Sequence, residues 1–280
     1  MRRLHLFEIL DQPWCPKVVR DGATDFLEHI TNFADIYAPV RPLLLAAIWR
    51  SGSRNVVDLC SGGGGPWLSS AWSAARKNGE FPLTVWLTDK FPSEALGLRL
   101  DKSDNSLRAV SEPVDATAVP STLHGFRTIF ASFHHFSDDA AVRLLQDAVS
   151  KGEGIASAEV TSRTLNSLAI VVFVPLACLL MTPFMRPFIL SRLLFTYIIP
   201  LIPFTLLWDG VVSCARTRTP AELKELTSGL NQFTWTSGYA HRSRLPMPVV
   251  YLVGTPISKC ETQSHDVNQQ ESQTQSIVRP

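Results

Sequence analysis

The chain has 280 residues, of which 45% are hydrophobic, with a formal net charge of +1. That length and composition suit one large domain, or one domain carrying an insertion, with a substantial core. The near-neutral charge, without a long basic run, leaves no electrostatic footprint for nucleic acid, so DNA and RNA are not expected partners. Five scattered cysteines, Cys15, Cys60, Cys178, Cys214 and Cys260, form no CxxC pair and no cluster with histidine. They indicate neither a disulfide framework nor a metal site. Glu8 and Asp11 interrupt the N-terminal apolar residues before they reach signal-peptide length, so a cytoplasmic start is the expectation.

In chain order, residues 1–54 read as a helical cap. The stretch "DFLEHITNFADIY" puts Phe26, Ile30, Phe33 and Tyr37 three and four residues apart, an amphipathic stripe that stops at Pro39. Residues 55–163 then alternate strand-like and helix-like segments: "NVVDLC", a helix through "WLSSAWSAARKNG", "LTVWLTD", a helix through "SEALGLRLD", "LRAVSEPVD", "RTIFASF", a helix through "DDAAVRLLQDAVSKG", and "GIASAEV". This order predicts an α/β fold, a mostly parallel sheet covered on both faces.

Residues 164–210 are different material. Thr164 to Met185 and Leu193 to Trp208 carry no charge, and Arg186 and Arg192 lie between them. Either run approaches the length of a spanning helix, roughly 17–25 residues. If the flanking strands share one sheet, the chain must return to its starting side, so one crossing is excluded. Two crossings would place both arginines on the translocated side, against the positive-inside tendency. Pro175, Pro183, Pro187, Pro200 and Pro203 favour short broken helices. The expectation is an apolar helical lid that encloses a hydrophobic acceptor or dips into one leaflet as a peripheral, monotopic anchor. A buried subdomain or a homodimer contact stays open as the alternative.

Residues 211–258 return to the α/β pattern. A helix begins at "TPAELKELTSG", with Thr219 as N-cap, Pro220 at the first position and Glu222 placed for a capping box. Two strands follow in "FTWTSGYA" and "PMPVVYLVG", and the Gln- and Ser-rich residues 259–280 read as a disordered tail.

The stretch "NVVDLCSGGGGPW" ends a strand in Asp58 and runs into four consecutive glycines before a helix. An open parallel sheet offers its ligand crevice at such a place, and glycines let the backbone approach the ligand closely. A dinucleotide site wants GxGxxG; Gly62 and Gly64 fit, but Trp67 stands at the third small position. Asp58, the turn Ser61 to Gly65, and Asp89 at the end of "VWLTD" fit a different ligand.

On these residues the chain resembles the class I S-adenosylmethionine-dependent methyltransferases over residues 55–160 and the last two strands. The resemblance implies a Rossmann-like seven-stranded sheet and S-adenosylmethionine as cofactor. Cys60 replaces the first glycine of the family's first motif. Asp58 would orient the loop and approach the methionine amino group, while Cys60, Ser61, Gly62, Gly63 and Gly64 line the methionine part. Asp89, followed by Lys90, would hold the ribose. Asp115 and Ala116 in "PVDATAVP" would set the adenine edge, and Phe133 ends the fourth strand beside the transferable methyl group.

His134 and His135 fall on that same loop, where a neutral imidazole could take a proton from an acceptor. A pocket-shaping role is the alternative. Glu159, at a strand end opening on the crevice, is a candidate for function or for a structural hydrogen bond. Tyr37 and Trp14 could reach the site from the N-terminal helices or belong to the core. Asp209 and Arg216, after the insertion, are candidates for polar contacts to the acceptor. The reading is therefore a methyltransferase acting on a small hydrophobic acceptor, with no metal required. A membrane-associated binding or scaffold protein with a silent methyltransferase-like domain is the second reading.

Overall fold

The computed structural model describes residues 2–92, 96–97, 100, 104–241 and 248–257. Seven strands form one sheet in the order β3-β2-β1-β4-β5-β7-β6. They are β1 Asn55–Leu59, β2 Thr84–Leu87, β3 Leu107–Ala109, β4 Phe126–Phe130, β5 Ile155–Glu159, β6 Phe233–Ala240 and β7 Val249–Pro256. The first five pair in parallel and β7 runs antiparallel to both neighbours. This is the mostly parallel, Rossmann-like sheet expected. The order reverses beside β1, which pairs with β2 on one side and β4 on the other. A crevice therefore opens at the carboxyl ends of β1 and β4.

Side-chain alternation splits the core between the two sheet faces. Val56, Val85, Phe126 and Ala156 pack with α2 (Arg41–Arg50) and α3 (Ser70–Arg76). Val57, Ile129, Ile155 and Val250 pack with α4 (Asp138–Ser150) and α8 (Pro220–Thr227). Helix α4 starts where the Ser137 hydroxyl accepts from the Ala140 amide, and Thr219 and Glu222 close the expected capping box on α8.

Helix α1 (Lys17–Phe33) ends earlier than its stripe suggested. Phe26 is buried, but Phe33 is 76% exposed, and Tyr37 lies in the following turn, packed edge-on against Phe130. The cap is not one unit: α2 joins the sheet core, while Val19, Ala23 and Phe26 of α1 pack with Cys178, Ile202 and Leu206 of the insertion.

The insertion folds as α5 (Leu165–Met181), a 3-10 turn at Thr182–Phe184, α6 (Leu190–Leu193) running into a π-helical turn to Ile198, and α7 (Leu201–Arg216). Three of the five prolines mark the expected breaks, Pro183 in the 3-10 turn, Pro187 before α6 and Pro200 as the N-cap of α7, and two do not. Pro175 sits inside α5 without ending it, and Pro203 falls in the first turn of α7, where no i−4 carbonyl bond is lost. Helix α7 also continues to Arg216, past the boundary at residue 210. The helix expected through "SEALGLRLD" and the tail from residue 259 fall largely or wholly outside the described residues.

Candidate active site

The turn after β1 is held open by its backbone conformation. Cys60, Gly62, Gly64 and Gly65 have φ of 57°, 52°, 108° and 57°, so the cysteine at the motif's first glycine position adopts a glycine-like conformation. The Ser61 amide donates to the Thr88 carbonyl (2.9 Å), the Gly64 amide to the Ser61 carbonyl (2.7 Å), and the Gly62 amide to the Asp89 carboxylate (2.9 Å). Helix α1 closes the turn from outside. A methyl group added at Gly63 would come within 2.7 Å of Glu28 Oε2, and one at Gly62 within 3.4 Å of Thr24 Cγ2.

Asp58 is buried beneath the turn. It accepts from Thr128 Oγ1 (2.6 Å), its neighbour across the β1–β4 register, and from Ser61 Oγ (2.7 Å). Burial pushes its carboxyl up to about 7, although hydrogen bonds from Thr128, Ser61 and Trp67 oppose the rise. Asp89 also accepts from the Phe91 amide. Asp115 is exposed and accepts from the Thr117 amide and hydroxyl, which hold its pKa down, and Lys90 lies near enough to add to that effect. Ala116 is buried beside it. Burial raises the Cys60 thiol pKa, and the charges of Asp89, Asp58, Asp115 and Asp11 raise it further. Four carboxylates therefore bear on one point of the crevice.

Strand β4 ends at Phe130, earlier than expected; Ala131, with φ 46°, turns the chain into a 3-10 turn over Phe133–His135. Phe133 turns its ring into the core, in the cluster of Val57, Leu59, Ile129 and Leu144. The ring is 2% exposed, packed 5.1 Å under the Arg218 guanidinium and 6.4 Å from Phe136. The Phe133 carbonyl accepts from Arg218 Nη1.

The turn sends its two histidines into different surroundings. His134 is buried, and its Nδ1 donates to Glu159 Oε2 at 2.7 Å; its backbone amide donates to Oε1 of the same carboxylate at 3.2 Å. Desolvation works to raise the Glu159 pKa, but the adjacent His134 holds it below the usual value. Nε2 of His134 is buried without a hydrogen-bond partner, 3.5 Å from Glu8 Oε1. His135 is partly exposed, with Nδ1 2.9 Å from Asp11 and 3.3 Å from Glu8. Desolvation lowers its pKa, but the bond to Asp11 and the charges of Glu8 and Asp11 outweigh this and lift it to about 9.

Glu8 and Asp11 belong to an N-terminal segment that crosses over this loop. The segment is tied down by residues with other expected roles. Asp209 accepts from the Ile9 and Leu10 amides (2.6 and 3.0 Å), and Arg216 Nη1 lies 3.0 Å from Glu8 and 3.1 Å from Asp11. Both are buried and engaged, so in this conformation they fasten the segment rather than face an acceptor. Tyr37 is likewise a core residue, 3% exposed, and Trp14, 64% exposed, is not. Glu8, His134 and His135 bring metal-ligating atoms within 4.8 Å of one another, which their separation in sequence concealed. The Arg216 guanidinium already supplies positive charge there.

Glu8, Asp11, Thr128 and Arg218 were not expected at the site. The strand register placed Thr128 beside Asp58, and only long-range folding brought the others in. A separate cavity of about 690 Å³ lies near the outer side of this loop, lined by Arg2, Arg3, Arg163, Arg218, Asp138 and Glu222 among others. None of the glycine-turn residues lines it.

No family model and no curated protein matches the chain. Among solved structures it is similar to human N-acetylserotonin methyltransferase in complex with SAM, at 14% identity and TM-score 0.47, over 83% of this chain and 56% of that one. It is similar to PigF with SAH at 15% identity and TM-score 0.47, over 88% and 62%. It is also similar to the plantazolicin methyltransferase BpumL, in complex with a monoazolic desmethylPZN analog and SAH, at 12% identity and TM-score 0.46, over 86% and 98%. The chain thus spans little more than half the length of the first of these.

Proposed function

We propose that the protein is an S-adenosylmethionine-dependent methyltransferase acting on a small hydrophobic acceptor by direct in-line transfer. The observation that carries this reading is the glycine turn at the sheet's reversal point, joined by the Gly62–Asp89 hydrogen bond and surrounded by carboxylates. An acidic crevice under a narrow glycine backbone fits a ligand that carries sulfonium and ammonium charges beside ribose hydroxyls. Asp89 would hold the ribose, the Ser61–Gly65 backbone the methionine part, and Asp115 with Ala116 the adenine edge. When bound, the cofactor supplies an electrophilic methyl group on sulfur.

The chain's own contribution is positioning, exclusion of water and handling of one proton. Glu159 engages Nδ1 of His134 and leaves Nε2, the atom that lacks a hydrogen-bond partner, as the ring position for an acceptor's proton. The acceptor's proton would be taken at that nitrogen. His135, held protonated by Asp11 and Glu8, is unsuited to that role and fastens the N-terminal segment instead. That segment covers Nε2, so the acceptor enters when Glu8 moves aside. The apolar helices α5–α7, tied to the same segment through Asp209 and Arg216, support a hydrophobic acceptor.

The test is S-adenosylhomocysteine formation from S-adenosylmethionine across a panel of lipophilic alcohols, phenols and amines. Acceptor-dependent product that His134→Gln lowers supports the reading. No product from any member, with S-adenosylhomocysteine binding intact, favours the silent, membrane-associated reading.

A further inference from the structure

The insertion is built inside out. Helix α5 buries Ser167, Val171 and Cys178 and turns Leu165, Val172, Phe173, Leu176 and Leu180 outward at 52–78% exposure. The same inversion continues through the rest of the insertion. Thr182, Arg192, Thr196 and Thr205 are buried, while Phe184, Phe188, Leu190 and Ile198 are 60–76% exposed. Water-facing helices show the opposite order, with polar groups outside. Lipid-facing helices show this one: hydroxyls and charges turn inward and pair, small residues bring helices close, and aliphatic side chains face out.

Three details agree. Arg192 is buried and paired with Asp25 of α1 at 2.9 Å, with further bonds to the Met185 and Pro187 carbonyls. Gly210 of α7 lies so close to α5 that an added methyl would come within 2.7 Å of Val171. The Tyr197 hydroxyl, on the exposed side, is bonded to the Leu179 carbonyl.

We propose that the outward face of α5 and the adjoining segment 183–204 inserts into the acyl region of one membrane leaflet, seating the protein as a monotopic membrane protein. Leu165–Phe184 is long and apolar enough to span a membrane, and only 22% of its apolar window is buried. Both ends of the insertion nevertheless connect to the same sheet, directly at β5 and through α8 at β6, so a single crossing is excluded. The 74° bend between Leu190–Ile198 and Leu201–Arg216 suits a hairpin that lies in the interface rather than a straight pair of spans.

A lipid fits better than a second copy of the chain because the face offers almost no hydrogen-bonding groups. Protein interfaces carry roughly one hydrogen bond per 100–200 Å². Between Arg163 and Asp209, Arg186 is the one charged residue that faces out. A single basic side chain predicts that binding depends on apolar insertion and only weakly on anionic lipid.

The experiment is flotation of the full chain with phosphatidylcholine vesicles, alone and with added phosphatidylglycerol. Two variants are compared, Phe184→Ser/Phe188→Ser/Leu190→Ser and Val172→Ser/Phe173→Ser/Leu176→Ser. Wild type should float with neutral vesicles, and each triple variant should partition at least roughly tenfold less, with an unchanged circular dichroism melt. Wild type that stays at the bottom of the gradient as a monomer overturns the proposal. So does a wild-type oligomer that ignores vesicles and dissociates in the variants, which assigns the face to a second copy. Flotation does not depend on cofactor binding, so its failure and the failure of the methyltransferase reading are separable.

Discussion

His134 Nδ1 lies 2.7 Å from Glu159 Oε2, and this one bond couples the loop after β4 to the end of β5. In a neutral ring that bond would keep the proton on Nδ1 and the lone pair on Nε2. Replacing Glu159 with Gln leaves a bond to either tautomer and removes that preference. Glu159→Gln should lower turnover, and His134→Gln should lower it by roughly 10²–10⁴-fold, the usual contribution of a general base. Affinity for S-adenosylhomocysteine should stay within a few-fold in both. Single-turnover rates on an identified acceptor check this, and wild-type rates in His134→Gln would remove the histidine from the chemistry.

Attachment of the N-terminal segment should weaken at alkaline pH. The His135 pKa is raised in the folded state to about 9, so its contribution is complete below its unfolded pKa, roughly 6.5, and is lost as pH rises through about 9. The Asp11 pKa is lowered to about 2: burial alone would raise it, but the hydrogen bond and charge of His135, with Arg216, outweigh that. Its contribution is present above the unfolded value and lost only as pH falls through about 2. The Asp209 pKa, raised to about 6 mainly by burial, acts below this window, its contribution lost as pH rises through about 6. Hydrogen exchange at the Ile9 and Leu10 amides, which donate to Asp209, reports the attachment directly. Corrected for intrinsic rates, protection should fall between pH 6.5 and 9.5 in wild type and show no such fall in His135→Phe.

Cofactor binding should release a proton. With its carboxyl at about 7, Asp58 is half protonated near neutrality, and a cationic ligand in the crevice above it favours ionisation. Binding at pH 7 should therefore release roughly half a proton. The binding enthalpy should then vary with the ionisation enthalpy of the buffer, and Asp58→Asn should abolish that variation. A buffer-independent enthalpy in wild type would mean that Asp58 keeps its protonation state.

The first turn position should accept the residue that its conformation favours. Cys60 has φ 57°, a region that costs a non-glycine residue about 1–2 kcal/mol. Cys60→Gly relieves that strain but loses a partly buried side chain and adds backbone entropy to the unfolded chain. Stability should stay within about 1 kcal/mol of wild type. Gly64→Ala should cost more than about 1 kcal/mol, because φ is 108° and the new methyl meets Leu68 Cδ1 at 2.6 Å. Urea denaturation of the two variants checks the contrast.

The pair between buried Arg192 and half-buried Asp25 should be a main tie between α1 and the insertion. Arg192→Ala removes a buried side chain together with its bonds to Asp25 and to the Met185 and Pro187 carbonyls, and should cost about 2–5 kcal/mol, the range for truncating a large buried side chain to alanine. Arg192→Met, which refills the volume, should cost less if it is combined with Asp25→Leu. Thermal denaturation of the single and double variants measures the difference.

Local pattern made the sheet legible. Short apolar strands, a glycine turn after "NVVDL" and the Thr219–Glu222 capping box are recorded within a few neighbouring residues, and the structure places each where expected. That Asp89 and Asp115 lie near the turn was legible for the same reason, since each follows a strand or ends a turn. What remained hidden depends on contacts between distant residues. Glu8 meets Arg216 and His134, and Asp11 meets His135, only because α7 and the loop after β4 converge on the N-terminal segment. Asp209 and Arg216 therefore look like free polar groups in the sequence and are fasteners in the fold. The charge-free runs identified the insertion but not its polarity. That Ser167 and Thr196 turn inward while Phe173 and Ile198 turn outward follows from packing against α1 and α7, which no periodicity in those runs records.

Calorimetric titration of the purified protein with S-adenosylhomocysteine, beside Asp89→Ala, tests the central claim most directly. The account predicts binding by wild type that is lost or weakened at least tenfold in the variant, because Asp89 anchors the Gly62 amide and is proposed to hold the ribose. A well-folded wild type that shows no binding would contradict it.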